Sequence, residues 1–401
     1  MNEKGVEAGI VDPFTFSTFS PEKWKYACTF DLHNWYGPLK SYTYKTVWFP
    51  LTLKAGKAVQ AKYRHLMLEG SAPSDEEETI LNELSQQLQS AIKQQNWEKN
   101  GAFVRLSSRS PKDVGLEKAF ESMEEWKFLE DSLLSETDPG RKDTVEYTSA
   151  MEWNTKLRVL MLICGRKLVV RSGEEALSLL CRSERVHGDV ISATRSDTER
   201  REWDLQLILR QWADVDPERE FRCFVSHGRL VACSQYNDML YYPTLMREGE
   251  IERVVRAINA YFLTFSHLIS HSLFVADFAM QGSDVILVEL NPAGPMTGAS
   301  LFNWNSDRDL LTSTDPSSSS RSLLPYPYPS VCQFVVDDVV FRCRCLPQTG
   351  LDVYWEMYQN DFKRMERVEK RKMEKGEERE VMGRSQKKEE EDGRRDACDI
   401  M

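Results

Sequence analysis

The stretch Val285–Pro295, VILVELNPAGP, decides the fold of this chain, because an apolar strand ends there in a carboxylate and an amide. In an extended strand, residues two positions apart point to the same side, so Glu289 and Asn291 project together. The apolar stretch before it, Leu273–Phe278, carries Asp277, and a short turn containing a glycine separates the two stretches. We therefore predict an antiparallel hairpin that brings Asp277, Glu289 and Asn291 to one place.

Two interpretations of these three side chains stay open. Three hard oxygen ligands on neighbouring strands suit Mg²⁺, which keeps several waters and takes further ligands from nucleotide phosphates. Alternatively, an acid at the end of a buried strand, such as Glu289, bonds only a nearby backbone group or an arginine. The first interpretation predicts a metal and nucleotide site.

Composition bounds the class of protein. The 401 residues have room for one large or two ordinary domains, and 41% hydrophobic and 10% aromatic residues are typical of a folded core. The 52 Lys and Arg residues against 63 Asp and Glu residues give a net charge of −11. This balance does not favour binding to nucleic acid or to an anionic membrane surface.

The same sequence indicates where the protein acts. The N-terminus has no apolar signal-peptide region, and no apolar run is long enough to cross a bilayer. The nine cysteines form no C-x-x-C pair, which is typical of reduced, intracellular thiols. We therefore expect a soluble, cytoplasmic protein.

Helical and alternating apolar patterns are mixed along the chain, which predicts the α+β class with mostly antiparallel strands. Six segments are predicted. They are a flexible N-terminal arm at 1–22, an N-terminal lobe at 23–200, a C-terminal lobe with the metal site at 201–305, a Ser-rich linker at 306–330, an extension with strand character at 331–360, and a charged, helical or disordered tail at 361–401.

A second candidate site is the loop 103–113, FVRLSSRSPKD, which begins in the predicted strand Ala102–Leu106. Its hydroxyl groups, its backbone N–H groups and its three cations favour phosphate oxygens. It is not a Walker loop, because it lacks glycines and the G-K-[ST] motif. The alternative is an exposed polar turn in which Ser110, followed by proline, is a phosphorylation site.

The segment Leu205–Val225 is the third candidate. The backbone of the apolar strand Leu205–Leu209 could pair with the edge of an adenine while its side chains pack on the ring, and Arg210 ends that strand. Glu220 and Arg222 face the same side of a later strand. They either form a surface ion pair or reach a phosphate together.

Taken together, these segments resemble the cell division cycle protein 123 family. The resemblance covers most of Trp24–Trp304. Its motifs, in chain order, are YKTVWFPL at Tyr44–Leu51, the SPKD loop at Ser110–Asp113, LILRQW at Leu207–Trp212, EFRCFV at Glu220–Val225, FVADF at Phe274–Phe278 and ELNPAGPMTGASLFNW at Glu289–Trp304.

The resemblance implies an ATP-grasp-like fold, in which two α+β lobes with largely antiparallel sheets clamp a nucleotide cleft. It implies ATP and Mg²⁺ as cofactors and the gamma subunit of eukaryotic translation initiation factor 2 as partner. The chain would then be an assembly chaperone linked to the cell cycle rather than an enzyme, acting as a monomer without direct contact to nucleic acid or membrane. Two alternatives stay open: an ATP-grasp ligase that activates a carboxylate through an acyl phosphate, and a degenerate scaffold with a changed client.

Carried over residue by residue, the resemblance implies a set of site residues. The metal positions are Asp277, Glu289 and Asn291. The nucleotide positions add Arg105, Ser107, Ser110, Pro111, Lys112 and Asp113 of the first loop, Leu207, Leu209 and Arg210 of the adenine-side strand, and Arg222.

The chain departs from the family pattern in several places, one of which is LNPAG at Leu290–Gly294, where the family has FNPFG. Arg105 stands where a lysine is usual, and Glu289 where an aspartate is usual. The family's QRD turn is Gln235-Tyr236-Asn237 here.

Overall fold

The fold is described from a computed structural model of the chain. The structure describes residues 21–68, 70–119, 123–134, 144–194, 204–315, 330–360 and 363. The predicted arm before residue 21, the end of the predicted linker and nearly all of the predicted tail lie outside these residues. Residues Met1–Leu351 form one compact unit and Asp352–Met401 a second, of which 352–360 are helical.

Helices occur along most of the first unit. They are α1 (Pro21–Cys28), α2 (Leu32–Leu39), α3 (Leu53–Met67), α4 (Asp75–Gln94), α5 (Trp97–Asn100), α6 (Gly115–Ala119), α7 (Met123–Leu134), α8 (Val145–Arg166), α9 (Gly173–Arg182), α10 (Glu184–Thr194), α11 (Glu250–Leu263) and α12 (Arg308–Leu311). Short 3₁₀ turns lie at Lys112–Val114, Pro217–Arg219, Pro243–Met246 and Ser266–Leu268.

Helix α4 illustrates why these segments are helical. Ser74 and Glu77 form a reciprocal capping box at its N-terminus, where four acidic residues also complement the helix dipole. Its buried residues recur at helical spacing and pack into one core. They are Leu81, Leu84, Leu88 and Ile92.

The first sheet has four strands in the order β1-β4-β2-β3. Their bounds are β1 (Thr46–Pro50), β2 (Ala102–Leu106), β3 (Val169–Val170) and β4 (Gln206–Gln211). One face buries apolar side chains such as Val104 and Leu209 against α3, α4 and α9. Because side chains alternate along a strand, Arg105 of β2 and Arg210 of β4 lie on the opposite face.

The second sheet has six strands in the order β8-β7-β5-β6-β10-β9. Their bounds are β5 (Glu220–Ser226), β6 (Arg229–Gln235), β7 (Leu273–Gln281), β8 (Asp284–Pro292), β9 (Val331–Val336) and β10 (Val339–Arg344). All pairs are antiparallel except β6 with β10, which is parallel. The turn between β5 and β6 has φ 49° at His227 and φ 74° at Gly228, as a tight hairpin requires.

The α+β class with two largely antiparallel sheets is confirmed, and so is the predicted hairpin, since β7 and β8 are antiparallel neighbours with one bulge between the partners of Asp277 and Phe278. The limits of the two predicted lobes stay a prediction. Strand pairing nevertheless places β4 in the sheet of β1, β2 and β3, and it adds β9 and β10 to the second sheet.

The start of the predicted Ser-rich linker is packed in the structure. Leu310 and Leu311 of α12 are buried in a core with the second sheet. Asp307 binds Arg342 of β10 through two contacts of 2.8 Å, and both side chains are buried. These residues therefore belong to the second sheet's core rather than to a linker.

The two sheets meet along β8, which is an edge strand of the second sheet. The Leu287 N–H donates to the Tyr42 carbonyl at 3.0 Å, and the Thr43 hydroxyl donates to the Leu287 carbonyl at 2.7 Å. The segment that leads into β1 thus covers the free edge of β8. Within the described part of the chain, no helix is both long and apolar enough to cross a membrane.

Candidate functional site

A row of charged side chains crosses the second sheet beside this junction. Arg222 of β5 lies opposite Asp277 of β7, and Asp277 lies opposite Glu289 of β8. Cross-strand partners point to the same face of a sheet, so the three side chains form one row. Asn291 lies two residues beyond Glu289 on the same strand and joins this row.

Arg222 and Asp277 form the centre of the row. The Arg222 Nε and Nη2 atoms donate to the two oxygens of Asp277, each at 2.8 Å, and Nη1 donates to the Gly298 carbonyl at 2.7 Å. Asn291 Nδ2 donates to Asp277 Oδ2 at 3.0 Å. Burial alone would lower the pKa of Arg222, but the charge and hydrogen bonds of Asp277 raise that pKa above its ordinary value.

Glu289 binds an arginine from the other sheet. Its Oε1 lies 2.6 Å from Arg105 Nη1, and the Arg105 side chain is buried. Burial would raise the pKa of Glu289, but the positive charges of Arg105 and Lys112 outweigh it and lower that pKa. The interpretation of Glu289 as an arginine-bonded acid therefore describes its contact in the structure.

Arg210 also connects the two sheets. Its Nη1 donates to the Val288 carbonyl of β8 at 2.8 Å, and its Nη2 donates to the Thr43 hydroxyl at 2.7 Å. Burial and the neighbouring Arg105 lower the pKa of Arg210 to about 10. Arg210 therefore holds β8 in place, with both terminal nitrogens already engaged.

Two buried polar atoms beside Arg210 have no hydrogen-bond partner among the described residues. They are Arg210 Nε and the hydroxyl oxygen of Tyr44, whose ring lies 5.3 Å from the Arg210 guanidinium. Burial raises the pKa of Tyr44 to about 12, so this hydroxyl is protonated and can donate. Unpaired buried polar atoms are rare and indicate a bound group or water. We call the space at the sheet junction, between Arg105 and Arg210 of the first sheet and the charged row of the second, the cleft. The two unpaired atoms mark this corner of it as a place for a polar ligand.

The first loop contributes Lys112 to the cleft. Lys112 is exposed, its Nζ lies 3.4 Å from the Tyr236 hydroxyl, and it is 5.0 Å from the centre of the Tyr236 ring. The Tyr236 hydroxyl and the nearby carboxylates raise the pKa of Lys112, and their effect outweighs the partial desolvation of its ammonium group by the surrounding protein. Lys112 therefore carries its full charge at neutral pH.

The other loop residues are used to build the loop. The Ser107 hydroxyl accepts from the Gln206 N–H at 3.2 Å and so extends the β2–β4 pairing. The Asp113 carboxylate accepts from the Ser183 hydroxyl at 2.7 Å, beside the N-terminus of α10. The structure thus brings Lys112 to the row of charges but does not bring Asp113 there.

Ser110 and Pro111 are buried in the loop. The side chains of Ser108 and Arg109 contact Asp189 of α10, at 2.6 Å and 3.3 Å. This loop is packed against α10, so the alternative of an exposed turn with an accessible Ser110 does not describe it.

The prediction for the adenine-side strand is corrected. Leu207 and Leu209 are fully buried on the face of β4 that packs against helices, away from Arg105 and Arg210. The backbone of β4 is paired with β1 on one side and with β2 on the other. A central strand has no free backbone edge for an adenine, so neither residue contacts a ligand in the way that the sequence suggested.

Sequence reasoning left the role of Glu220 undecided. The structure pairs Arg222 with Asp277 rather than with Glu220. Glu220 shares the face of Arg222 two residues away, and burial together with the charge of Asp277 raises its pKa against the effect of Lys112. Glu220 is therefore a third carboxylate beside the row.

Three contributors were missed: Thr43, Tyr44 and Tyr236. Residues Tyr42–Trp48 alternate in the sequence as a strand does, but β1 begins only at Thr46. Thr43 contacts β8 across 244 residues of chain, which no local pattern could indicate. For Tyr236 the departure from the QRD turn was the available signal.

The predicted metal ligands offer the kind of atoms that Mg²⁺ prefers, but the ion would have to replace their present partners. Two carboxylates and an amide supply the hard oxygens that this ion prefers. Asp277 already accepts three hydrogen bonds and Glu289 an arginine, so a cation would replace the arginines as their partner. Among the described residues, no three His, Cys, Asp or Glu side chains cluster closely enough to hold a metal, so Asn291 and ligand oxygens would complete the set.

This chain, an α+β protein with two sheets and charged side chains at their junction, is similar to known proteins. Residues 159–325 match the family D123. A translation initiation factor eIF2 assembly protein of Xenopus tropicalis is 27% identical over 154 residues, covering 37% of this chain and 44% of that protein. The same-named protein of Schizosaccharomyces pombe is 27% identical over 164 residues, covering 39% and 50%.

The match of residues 159–325 to the D123 family and the similarity to these relatives confirm the resemblance to the cell division cycle protein 123 family. The match spans half or less of the length of these two relatives. The solved structure of Cdc123 from Schizosaccharomyces pombe aligns with a TM-score of 0.47 at 20% identity, covering 73% of this chain and 94% of that one. The fold described above is based on the strand pairing within this chain and not on that alignment.

The buried pair Arg222–Asp277 should contribute strongly to stability. Replacing Arg222 by Met leaves a buried carboxylate without its partner, which should lower the free energy of unfolding by about 3–5 kcal/mol. Urea denaturation measures this. The exposed pair Arg256–Asp337, with side chains 61% and 56% exposed, provides the control, and Arg256→Met should cost within about 1 kcal/mol.

A double variant tests the same assignment. Because Arg222→Met and Asp277→Leu together leave no unpaired charge, their combined cost should be smaller than the sum of the two single costs. Strict additivity would contradict a direct pair.

The lowered pKa of Glu289 predicts how the free energy of unfolding depends on pH. Its pKa in the folded protein is lowered, so its ionised form stabilises the fold above the ordinary pKa of about 4.3, and this contribution is lost as the pH falls through the folded pKa. The stability difference between wild type and Glu289→Gln should therefore shrink when urea denaturation is repeated from about pH 6 down to about pH 3. Glu76→Gln, in an exposed pair, should show little difference at either pH. A difference for Glu289→Gln that grows on acidification would contradict the assignment.

Proposed function

We propose that this chain is an assembly protein for eukaryotic translation initiation factor 2 that binds ATP with Mg²⁺ in the cleft between its sheets. We further propose that its client is the gamma subunit of that factor. The names of the relatives support the assembly role. The charged cleft supports the nucleotide.

The observation that carries the nucleotide proposal is the convergence of three cations with unused donors. An arginine has five N–H donors and a lysine has three. Arg222 uses three of its donors, Arg105 makes two contacts, and Lys112 makes one. The remaining donors of these three side chains match the oxygens of a polyphosphate.

The carboxylates of the cleft would bind the cation that accompanies the nucleotide. Asp277, Glu289 and Asn291 would hold the Mg²⁺, which when bound would neutralise the phosphate charge. In its absence Arg222 and Arg105 neutralise Asp277 and Glu289. If these arginines turn to a phosphate alone, they leave carboxylates unpaired, which is costly in a buried site. Phosphate and cation should therefore bind better together than either does alone.

This arrangement suits a binding role better than catalysis. Arg105 and Arg210 come from the first sheet, and their partners lie on β8 of the second. A ligand held by both sheets stabilises one arrangement of them, and such a ligand shifts a conformational equilibrium without any bond being made. A client that contacts both sheets would then bind more tightly in the presence of the nucleotide.

The nucleotide proposal predicts a thermal shift. ATP with Mg²⁺ at about 100 times its Kd should stabilise the protein by about 2.7 kcal/mol, whereas ATP alone or Mg²⁺ alone should do so less. Asn291→Ala should reduce the part that depends on Mg²⁺, and Asn305→Ala, in an exposed turn, should not. The measurement is differential scanning fluorimetry.

The outcomes separate the candidate functions. Absence of any shift at millimolar ATP would favour a degenerate scaffold. Release of ADP and phosphate only after a small carboxylate and an amine are added would favour the ATP-grasp ligase.

The client proposal predicts selective binding among the subunits. The purified gamma subunit should co-elute with this chain in size-exclusion chromatography, and the isolated alpha and beta subunits should not. Magnesium and ATP should increase the co-eluting fraction. Co-elution of alpha or beta instead of gamma would contradict the choice of client.

A further inference from the structure

We infer that Tyr236 is a positioning residue that holds Lys112 and Arg222 together as a phosphate-binding pair. This inference rests on the proposed nucleotide function and adds a residue that the resemblance does not supply.

The position of Tyr236 between cations from two separate segments is the first observation. Its ring centre lies 5.0 Å from Lys112 Nζ of the first loop and 4.8 Å from the Arg222 guanidinium of the second sheet. The face of an aromatic ring attracts cations at these distances. One ring thus contacts a cation from each side of the cleft.

The backbone hydrogen bonds of Tyr236 are the second observation. Its N–H donates to the Glu220 carbonyl at 2.9 Å, and its carbonyl accepts from the Ser300 hydroxyl at 2.7 Å. The following Asn237 accepts from the Met239 N–H at 3.0 Å, which closes the turn. The backbone therefore fixes the place from which the ring extends.

Of the two cations, Lys112 is the one whose position depends on Tyr236. Its side chain is exposed on the long, flexible stem of a lysine, and within the described part of the chain its ammonium group contacts Tyr236. Arg222, by contrast, is already oriented by Asp277 and Gly298. The ring thus orders the free cation beside the fixed one, which lowers the entropy lost when both bind a phosphate.

The chemistry of the pair defines what it recognises. Two cations side by side favour a ligand with adjacent anionic groups, such as the β- and γ-phosphates of a nucleoside triphosphate, over a monophosphate. Tyr236 should therefore affect the preference for ATP over AMP more than it affects binding of the nucleoside part.

The test measures the affinities of ATP and AMP with Mg²⁺ by isothermal titration calorimetry, with AMP as a competitor if its binding is weak. Tyr236→Leu removes both ring contacts and should weaken ATP roughly tenfold, so that the ratio of ATP to AMP affinity falls. Tyr236→Phe keeps the ring and should weaken ATP only about twofold. Thermal unfolding without ligand checks that both variants are folded.

A second arm tests the coupling to Lys112. In a Lys112→Met background, Tyr236→Leu should weaken ATP much less than it does in the wild type, because the cation it positions is gone. An equal loss in both backgrounds, or an unchanged ratio of ATP to AMP affinity, would overturn the inference while leaving the proposed function intact. If the wild-type chain binds neither nucleotide, both the inference and the proposed nucleotide function fail.

Discussion

Two buried arginines on one face of the first sheet hold the edge strand of the second, and the rest of the cleft depends on this contact. Arg105 binds the Glu289 carboxylate, and Arg210 binds the Val288 carbonyl on the same strand. A buried arginine is costly unless its charge and most of its donors find partners, and these two find them on β8, so they connect the sheets at one junction. The contact also determines that β8 presents Glu289 toward the first sheet.

This junction brings charges of both signs into one small volume. The cations are Arg105, Lys112, Arg210 and Arg222, and the carboxylates are Glu220, Asp277 and Glu289. Without a ligand most of them neutralise one another, which makes the cleft stable. A charged ligand would have to replace some of these ion pairs. The proposed ligand, a nucleotide that carries its own cation, would leave few of these charges unpaired.

The local elements of this chain were predictable. The strand at Ala102–Leu106 has the predicted bounds, and the hairpin of β7 and β8 follows from two apolar runs around a glycine turn. Such elements depend on periodicity over a few residues, which a sequence carries directly. The alignment of Asp277 with Glu289 did not follow from the turn alone, because the register from Gln281–Asp284 to Phe278–Leu287 shifts by one residue before Asp277. This bulge places Glu289, rather than Val288, opposite Asp277.

The sequence alone determined the class of fold, the hairpin, and the candidate phosphate and metal residues. Only the tertiary structure decided which partner each charge takes: Arg222 binds Asp277 and not its neighbour Glu220, and Asp113 turns to α10. It also decided that Leu207 and Leu209 face the helices, since β4 is a central strand whose two faces differ. Long-range contacts of this kind depend on how separate elements pack, and that packing is not encoded in the spacing of residues along any one of them.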